Sequence, residues 1–142
     1  MKRFISTLAL TALLAAPLLA ANDDEVAARR TALDVAGAFS NDGFKLRDGN
    51  WTGPLAIGKP QILQVNLYAG NQYWFTLGAT SSAKKVAISI YDETGKPVES
   101  EPYQDVSVAA AGYSPQASGI FFIKVEELEG TAGSFCLIYS YK

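Results

Sequence analysis

The 142-residue chain contains no histidine, one cysteine and one methionine. Without histidine there is no imidazole general base and no Ser-His or Cys-His pair, and the commonest zinc ligand is missing. A lone thiol, Cys136, forms no internal disulfide. Its place among alternating apolar residues predicts a buried, inert side chain rather than a reactive or intermolecular one. Cations are few and scattered. Twelve Lys and Arg stand against fourteen Asp and Glu, and over residues 22–142 the counts are ten and fourteen, a net charge of −4. Binding to nucleic acid rests on neutralising phosphates with clustered cations, so the expectation is that nucleic acid is not a partner; an anionic membrane surface is disfavoured on the same ground. No Gly-rich phosphate loop is present. The catalytic option left is a pair of carboxylates facing across a cleft, as in glycosidases. The acidic residues instead gather in the leader and in turns (Asp23-Asp24-Glu25, Asp92-Glu93, Glu99 with Glu101, Glu126-Glu127 with Glu129), as on a solvated surface. The expectation is a protein that is not an enzyme, with a carboxylate-based hydrolase as the remote alternative.

What is present divides the chain in three. Lys2 and Arg3 precede an apolar run from about Leu8 to Ala21, too short and too rich in alanine to span a membrane, with small residues at its end. Residues 1–21 therefore read as a bacterial secretory signal, cleaved after Ala20 or Ala21, which sends the protein to the periplasm or beyond and leaves no membrane span. Residues 22–40 read as a helical leader. Asn22, Asp23 and Asp24 offer capping oxygens, the following stretch has no proline, and Ala28, Ala32, Val35, Ala36 and Phe39 share one stripe. That stripe predicts a helix docked on, or loosely tethered to, the remaining domain, residues 41–142. A partner-binding helix is the competing reading.

Glycine, asparagine, aspartate and proline dominate between Ser40 and Pro60, predicting turns, with a short edge strand at Phe44 to Arg47. Beyond Pro60 the pattern has period two. Leu63, Val65 and Leu67, then Tyr73, Phe75 and Leu77, read as a hairpin through Ala69-Gly70-Asn71; Val86, Ile88 and Ile90 read as a strand ending at Asp92-Glu93-Thr94-Gly95. A weaker strand follows at Asp105 to Ala109. Phe121, Ile123 and Val125, then Phe135, Leu137 and Tyr139, read as a closing hairpin around an acidic loop, Glu126 to Ala132. Seven to eight short strands at this spacing predict an all-β, antiparallel, jelly-roll-like β-sandwich with a short N-terminal helix.

The succession GNQYWFTLGA, VAISIYDETGKPV, SPQASGIFFIKV, GSFCLIYSY, covering roughly Pro60 to Lys142, resembles the bacterial pre-peptidase C-terminal domain, a secreted β-sandwich module usually attached to extracellular peptidases. The residues that carry the resemblance are Ile88, Ile90, Asp92 and Gly95 in one strand and turn, Gly119, Phe121, Ile123 and Val125 in the penultimate strand, and Phe135 and Leu137 in the last. They imply the sandwich fold more than a function. Some members bind calcium through nearby carboxylates, but acidic residues common on one strand of the family are replaced here by Ala87 and Ser89.

Two kinds of site follow. If Tyr73, Phe75, Phe121 and Phe135 face the core, Trp74 and Phe122 lie on the outer faces of their sheets, and Tyr91 lies at a strand end. Large apolar groups there are either covered or bind something. With Trp51, which either pins a loop to the core or offers a stacking platform, they form the candidate ligand-binding set: Trp51, Trp74, Tyr91 and Phe122. Calcium is the cofactor the chemistry allows, with Asp92, Glu93 and Asp105 as its candidate ligands and Glu126, Glu127 and Glu129 as a second group. Solvated turns are the competing reading. The expected function is an exported, non-catalytic module that recognises a cell-envelope component, a polysaccharide or a protein. The alternative is a periplasmic or secreted accessory subunit docking on an enzyme or chaperone.

Overall fold

Asn22 closes the start of the first helix, α1 (Asp23–Ser40): its side-chain Oδ1 accepts from the Glu25 amide at 2.7 Å, and Asp23, Asp24 and Glu25 occupy the positive first turn. A computed structural model describes residues 22–142; the predicted secretory leader, residues 1–21, lies outside the described residues. Among the described residues no helix is long and apolar enough to cross a membrane.

Nine strands follow: β1 (Lys45–Leu46), β2 (Trp51–Leu55), β3 (Gln61–Leu67), β4 (Tyr73–Ala79), β5 (Ala83–Asp92), β6 (Glu101–Asp105), β7 (Val108–Tyr113), β8 (Gly119–Gly130) and β9 (Gly133–Tyr141). They form two antiparallel sheets. One has six strands in the order β1-β9-β4-β7-β6, with β2 also paired to β9; the other has three, β3-β8-β5. The protein is an antiparallel β-sandwich with one helix. Between the sheets lie Leu67, Phe75, Leu77, Val86, Ile90, Ile123, Val125 and Leu137, each 2 % exposed or less. These are the residues whose alternation marks the strands in the sequence.

The pairing differs from the two predicted hairpins. β3 pairs with β8 while β4 pairs with β7 and β9, so the Tyr68–Gln72 connection passes from one sheet to the other. The terminal strands do the same: β8 lies in the small sheet and β9 in the large one. The predicted acidic loop is in fact the end of β8, where Glu126, Glu127 and Glu129 pair with Ala87, Val86 and Lys85 across an irregular register. Past that irregularity the strand still pairs, Gly130 with Ala83, and ends at Gly130, which has φ +119°. Period two states which face of a strand is buried, not which strand lies beside it. The hairpin the sequence obscured is β6–β7, turned at Val106 and Ser107, with Ser107 at φ 59°; there the alternation predicts one weak strand. The composition around β2 predicts turns rather than a strand, because Gly53 and Pro54 interrupt it. It pairs only with β9, and proline is tolerated on such an edge.

α1 covers the outer face of the large sheet. Ala28, Ala32 and Ala36 pack on Cys136 and Ile138, and at Gly78 a side chain would run into the Ala28 carbonyl and the Ala32 amide. The sheets are drawn together along β5 and β7, where the inward residues of β7 are Ala109 and Ala111; Ser107 Oγ donates to the Ala83 carbonyl at 2.6 Å and Gln104 Nε2 to the Val86 carbonyl at 3.1 Å. At the opposite margin the inward residues are Trp51, Tyr73 and Tyr139. Large rings there leave a gap between β1–β2 and β3.

Candidate functional site: an arginine and aromatic cleft

Arg47 is fixed at the mouth of that gap because its backbone amide donates to the Tyr139 carbonyl at 3.0 Å. Its guanidinium lies 5.1 Å from the Tyr139 ring centre and 5.8 Å from that of Trp51. The two rings stack on each other at 6.0 Å and 20°. Tyr139 in turn meets Tyr73 edge-on at 5.9 Å, and the Tyr73 hydroxyl accepts from the Tyr68 amide at 2.9 Å and from Asn71 Nδ2 at 3.1 Å. This network ties the end of β3 to β4 and β9 and leaves the Tyr68 ring 61 % exposed. Burial raises the Tyr139 phenol above its ordinary value, with the Arg47 charge opposing the rise.

Two adjoining hollows, of about 280 and 250 Å³, share Arg47, Asn66, Tyr68 and Tyr139 as walls. Asn71, Tyr73 and Tyr141 complete the first; Trp51, Gln64 and Val65 complete the second. Among the described residues, Arg47 is the one charged residue lining either hollow. Ring faces, primary amides and a guanidinium are groups that hold a ligand.

A larger hollow, about 670 Å³, lies elsewhere between the sheets and is lined by Asp92, Glu99, Glu101, Tyr113 and Gln116 among others. Its size does not make it the better site. Tyr113 and Phe121 pack edge-on against each other at 5.5 Å, and Asp92 is committed to its own turn: Oδ1 accepts from the Thr94 hydroxyl at 2.6 Å, the Thr94 amide at 2.9 Å and the Lys96 amide at 3.0 Å. The Thr94 hydroxyl, first among these, holds the Asp92 carboxyl below the usual range.

The candidate residues from the sequence are thus dispersed. Trp51 lines the cleft and also packs on the core, so both readings of it meet in one residue. Trp74 is half-buried: Phe39 of α1 stacks on it at 4.4 Å and 10°, and its ring lies against Gly112, where a side chain would meet it. It is not an open platform, because the helix stripe ends on it. Tyr91 and Phe122 are cross-strand partners on the outer face of the small sheet, with Gln64 next to Phe122 in the same row. There Lys124 Nζ sits 5.9 Å from the Tyr91 ring and 3.4 Å from Glu126. The metal candidates do not converge. Asp105 Oδ1 accepts from the Val106 amide at 2.7 Å, at the end of β6 away from Glu101, which lines the same hollow as Asp92. Four residues of strand separate those ends by about 13 Å. Among the described residues no three carboxylates or thiols are grouped to hold a metal.

Sequence reading missed Arg47, Tyr68 and Tyr139. Tyr139 counts correctly as a core residue, but its pattern carries no sign that its edge reaches a cleft. Arg47 had one available signal: an arginine four residues before a tryptophan in a stretch otherwise short of cations.

The fold and cleft together define a helix-capped antiparallel β-sandwich with a non-acidic aromatic cleft at one margin. Compared with known protein families and with curated proteins, the chain matches none.

Proposed function

We propose that this chain is an exported, non-catalytic recognition module of the kind the pre-peptidase C-terminal domain exemplifies, and that it binds a polysaccharide of the cell envelope or surroundings in the Arg47 and Tyr68 cleft. The observation that carries this reading is the joining of two hollows around Arg47, Asn66, Tyr68 and Tyr139. Aromatic faces stack on the apolar faces of sugar rings, and amide groups both donate to and accept from hydroxyls. The accessory-subunit reading draws less support, since the apolar stripe it would use, Ala28, Ala32 and Ala36, is buried against the protein's own sheet. Among the described residues no gathered ligand set supports calcium.

Co-sedimentation of the purified protein with insoluble peptidoglycan, cellulose and chitin, with and without chelator, tests this. The expected result is binding to at least one polymer that is unaffected by chelator, lost in Tyr68→Ala and retained in Tyr91→Ala. Retention of binding in Tyr68→Ala and in Trp51→Ala would remove the cleft from the proposal.

A further inference from the structure

We infer that the ligand of this cleft is an acidic glycan, and that Arg47 reads a carboxylate carried on one of its sugars. The inference rests on the recognition reading above and adds the class of sugar. Three observations converge on it. Arg47 is exposed, and among the described residues its guanidinium has neither an ion pair nor a hydrogen bond to a side chain or carbonyl. Its backbone is held by the amide bond to Tyr139, and its guanidinium lies over two aromatic rings at 5.1 and 5.8 Å, which places its planar donor fork at the cleft without another partner. An oriented guanidinium with free N–H edges matches the two oxygens of a carboxylate. The other residues lining the two hollows are neutral: Asn71 offers an amide for hydroxyls and the Tyr68 ring a face for a sugar, with Gln64 and Asn66 at the rim on the outward row of β3.

The rest of the molecule limits how acidic the glycan is. Over residues 22–142 the protein carries a net charge of −4, and no lysine lines either hollow. A polymer with a charge on every unit would meet one cation and a repelling surface. The geometry therefore suits a glycan in which acidic sugars alternate with neutral ones, the acid at Arg47 and a neutral neighbour on Tyr68.

The test compares soluble oligosaccharides that differ only in charge. Hyaluronan oligosaccharides, muramyl oligosaccharides and oligogalacturonates are each titrated into the purified protein beside their carboxyl-methylated forms, following binding by calorimetry. Neutral chitin and cellulose oligosaccharides complete the panel. The acid form of an alternating glycan is expected to bind about ten- to a hundredfold tighter than its ester, the range for a charge-assisted hydrogen-bonded pair. Arg47→Gln is expected to abolish that preference, Arg47→Lys to restore part of it, and Tyr68→Ala to weaken acid and ester alike. Equal binding of acid and ester, or an acid preference that survives Arg47→Gln, overturns the inference and leaves the recognition reading standing. Binding to no saccharide in the panel overturns both. Because Arg47 is exposed, an unchanged melting temperature in Arg47→Gln confirms that any loss comes from the contact.

Discussion

Glu127 is 2 % exposed, and neither of its carboxylate oxygens has a hydrogen-bond partner among the described residues. It follows Phe121, Ile123 and Val125 on the inward face of β8, so a charge is carried at a position that period two reserves for the core. Burial pushes its carboxyl above the ordinary 4.5. Between 4.5 and the raised value the folded chain keeps a proton that the unfolded chain has released, so its destabilising effect is full above that window and fades as pH falls through it. Glu127→Met should therefore raise the melting temperature at pH 7, by about 1–3 kcal/mol of stability, and raise it less at pH 4.5. Thermal melts at the two pH values check this; an equal gain at both would mean that packing, not charge, is responsible. Thr76 is a neutral counterpart, fully buried with no partner for Oγ1 among the described residues. Thr76→Val should stabilise by about 1 kcal/mol in urea unfolding, and a loss of stability would show that the hydroxyl has a partner in solution.

At the scale of elements the helix depends on small residues meeting across its contact with the large sheet. Ala28 and Ala32 come so close to Gly78 that a methyl group there has backbone, not a flexible side chain, in its way. Backbone cannot yield without moving the helix. Gly78→Ala should cost about 1–3 kcal/mol and loosen α1 from β4 and β9. Cys136 reports on that movement, since it lies fully buried beneath the helix and desolvation pushes its thiol up to about 11. In the parent protein the thiol should resist alkylation at pH 8 until the protein unfolds. In Gly78→Ala it should label at temperatures well below the melting transition; labelling that still tracks global unfolding would mean that the helix stays docked. The aromatic end of the same contact, Phe39 on Trp74, explains why a tryptophan that the sequence places on an outer sheet face is unavailable to a ligand.

At the scale of the whole molecule the two margins of the sandwich differ because their inward side chains differ. Ala109 and Ala111 with the Ser107 and Gln104 hydrogen bonds draw together one end of the first, whose other end opens into the larger hollow at Asp92 and Tyr113; Trp51, Tyr73 and Tyr139 line the second, where the cleft lies. A ligand bound in the cleft as proposed would touch strands of both sheets. Its binding should raise the melting temperature and slow amide exchange over residues 45–55 and 61–68 together, and protection of one segment alone would put the ligand on an outer face. Much of this architecture was legible beforehand. Asn22 and the alanine stripe predicted α1; the alternations of Val65 and Leu67, of Phe75 and Leu77 and of Ile123 and Val125 predicted strands with those residues inside. The absence of histidine and the scattered cations narrowed the chemistry. These are local or compositional properties, determined by the spacing of side chains along the chain. Strand partners were not legible, because a buried face can be satisfied by several neighbours: both predicted hairpins proved to be crossings between sheets, and a run of glutamates proved to be strand. The cleft was decided only by tertiary structure. Arg47, Tyr68 and Tyr139 lie far apart in sequence and meet because β9 brings Tyr139 beneath β1 and β2 while β3, in the other sheet, ends beside them.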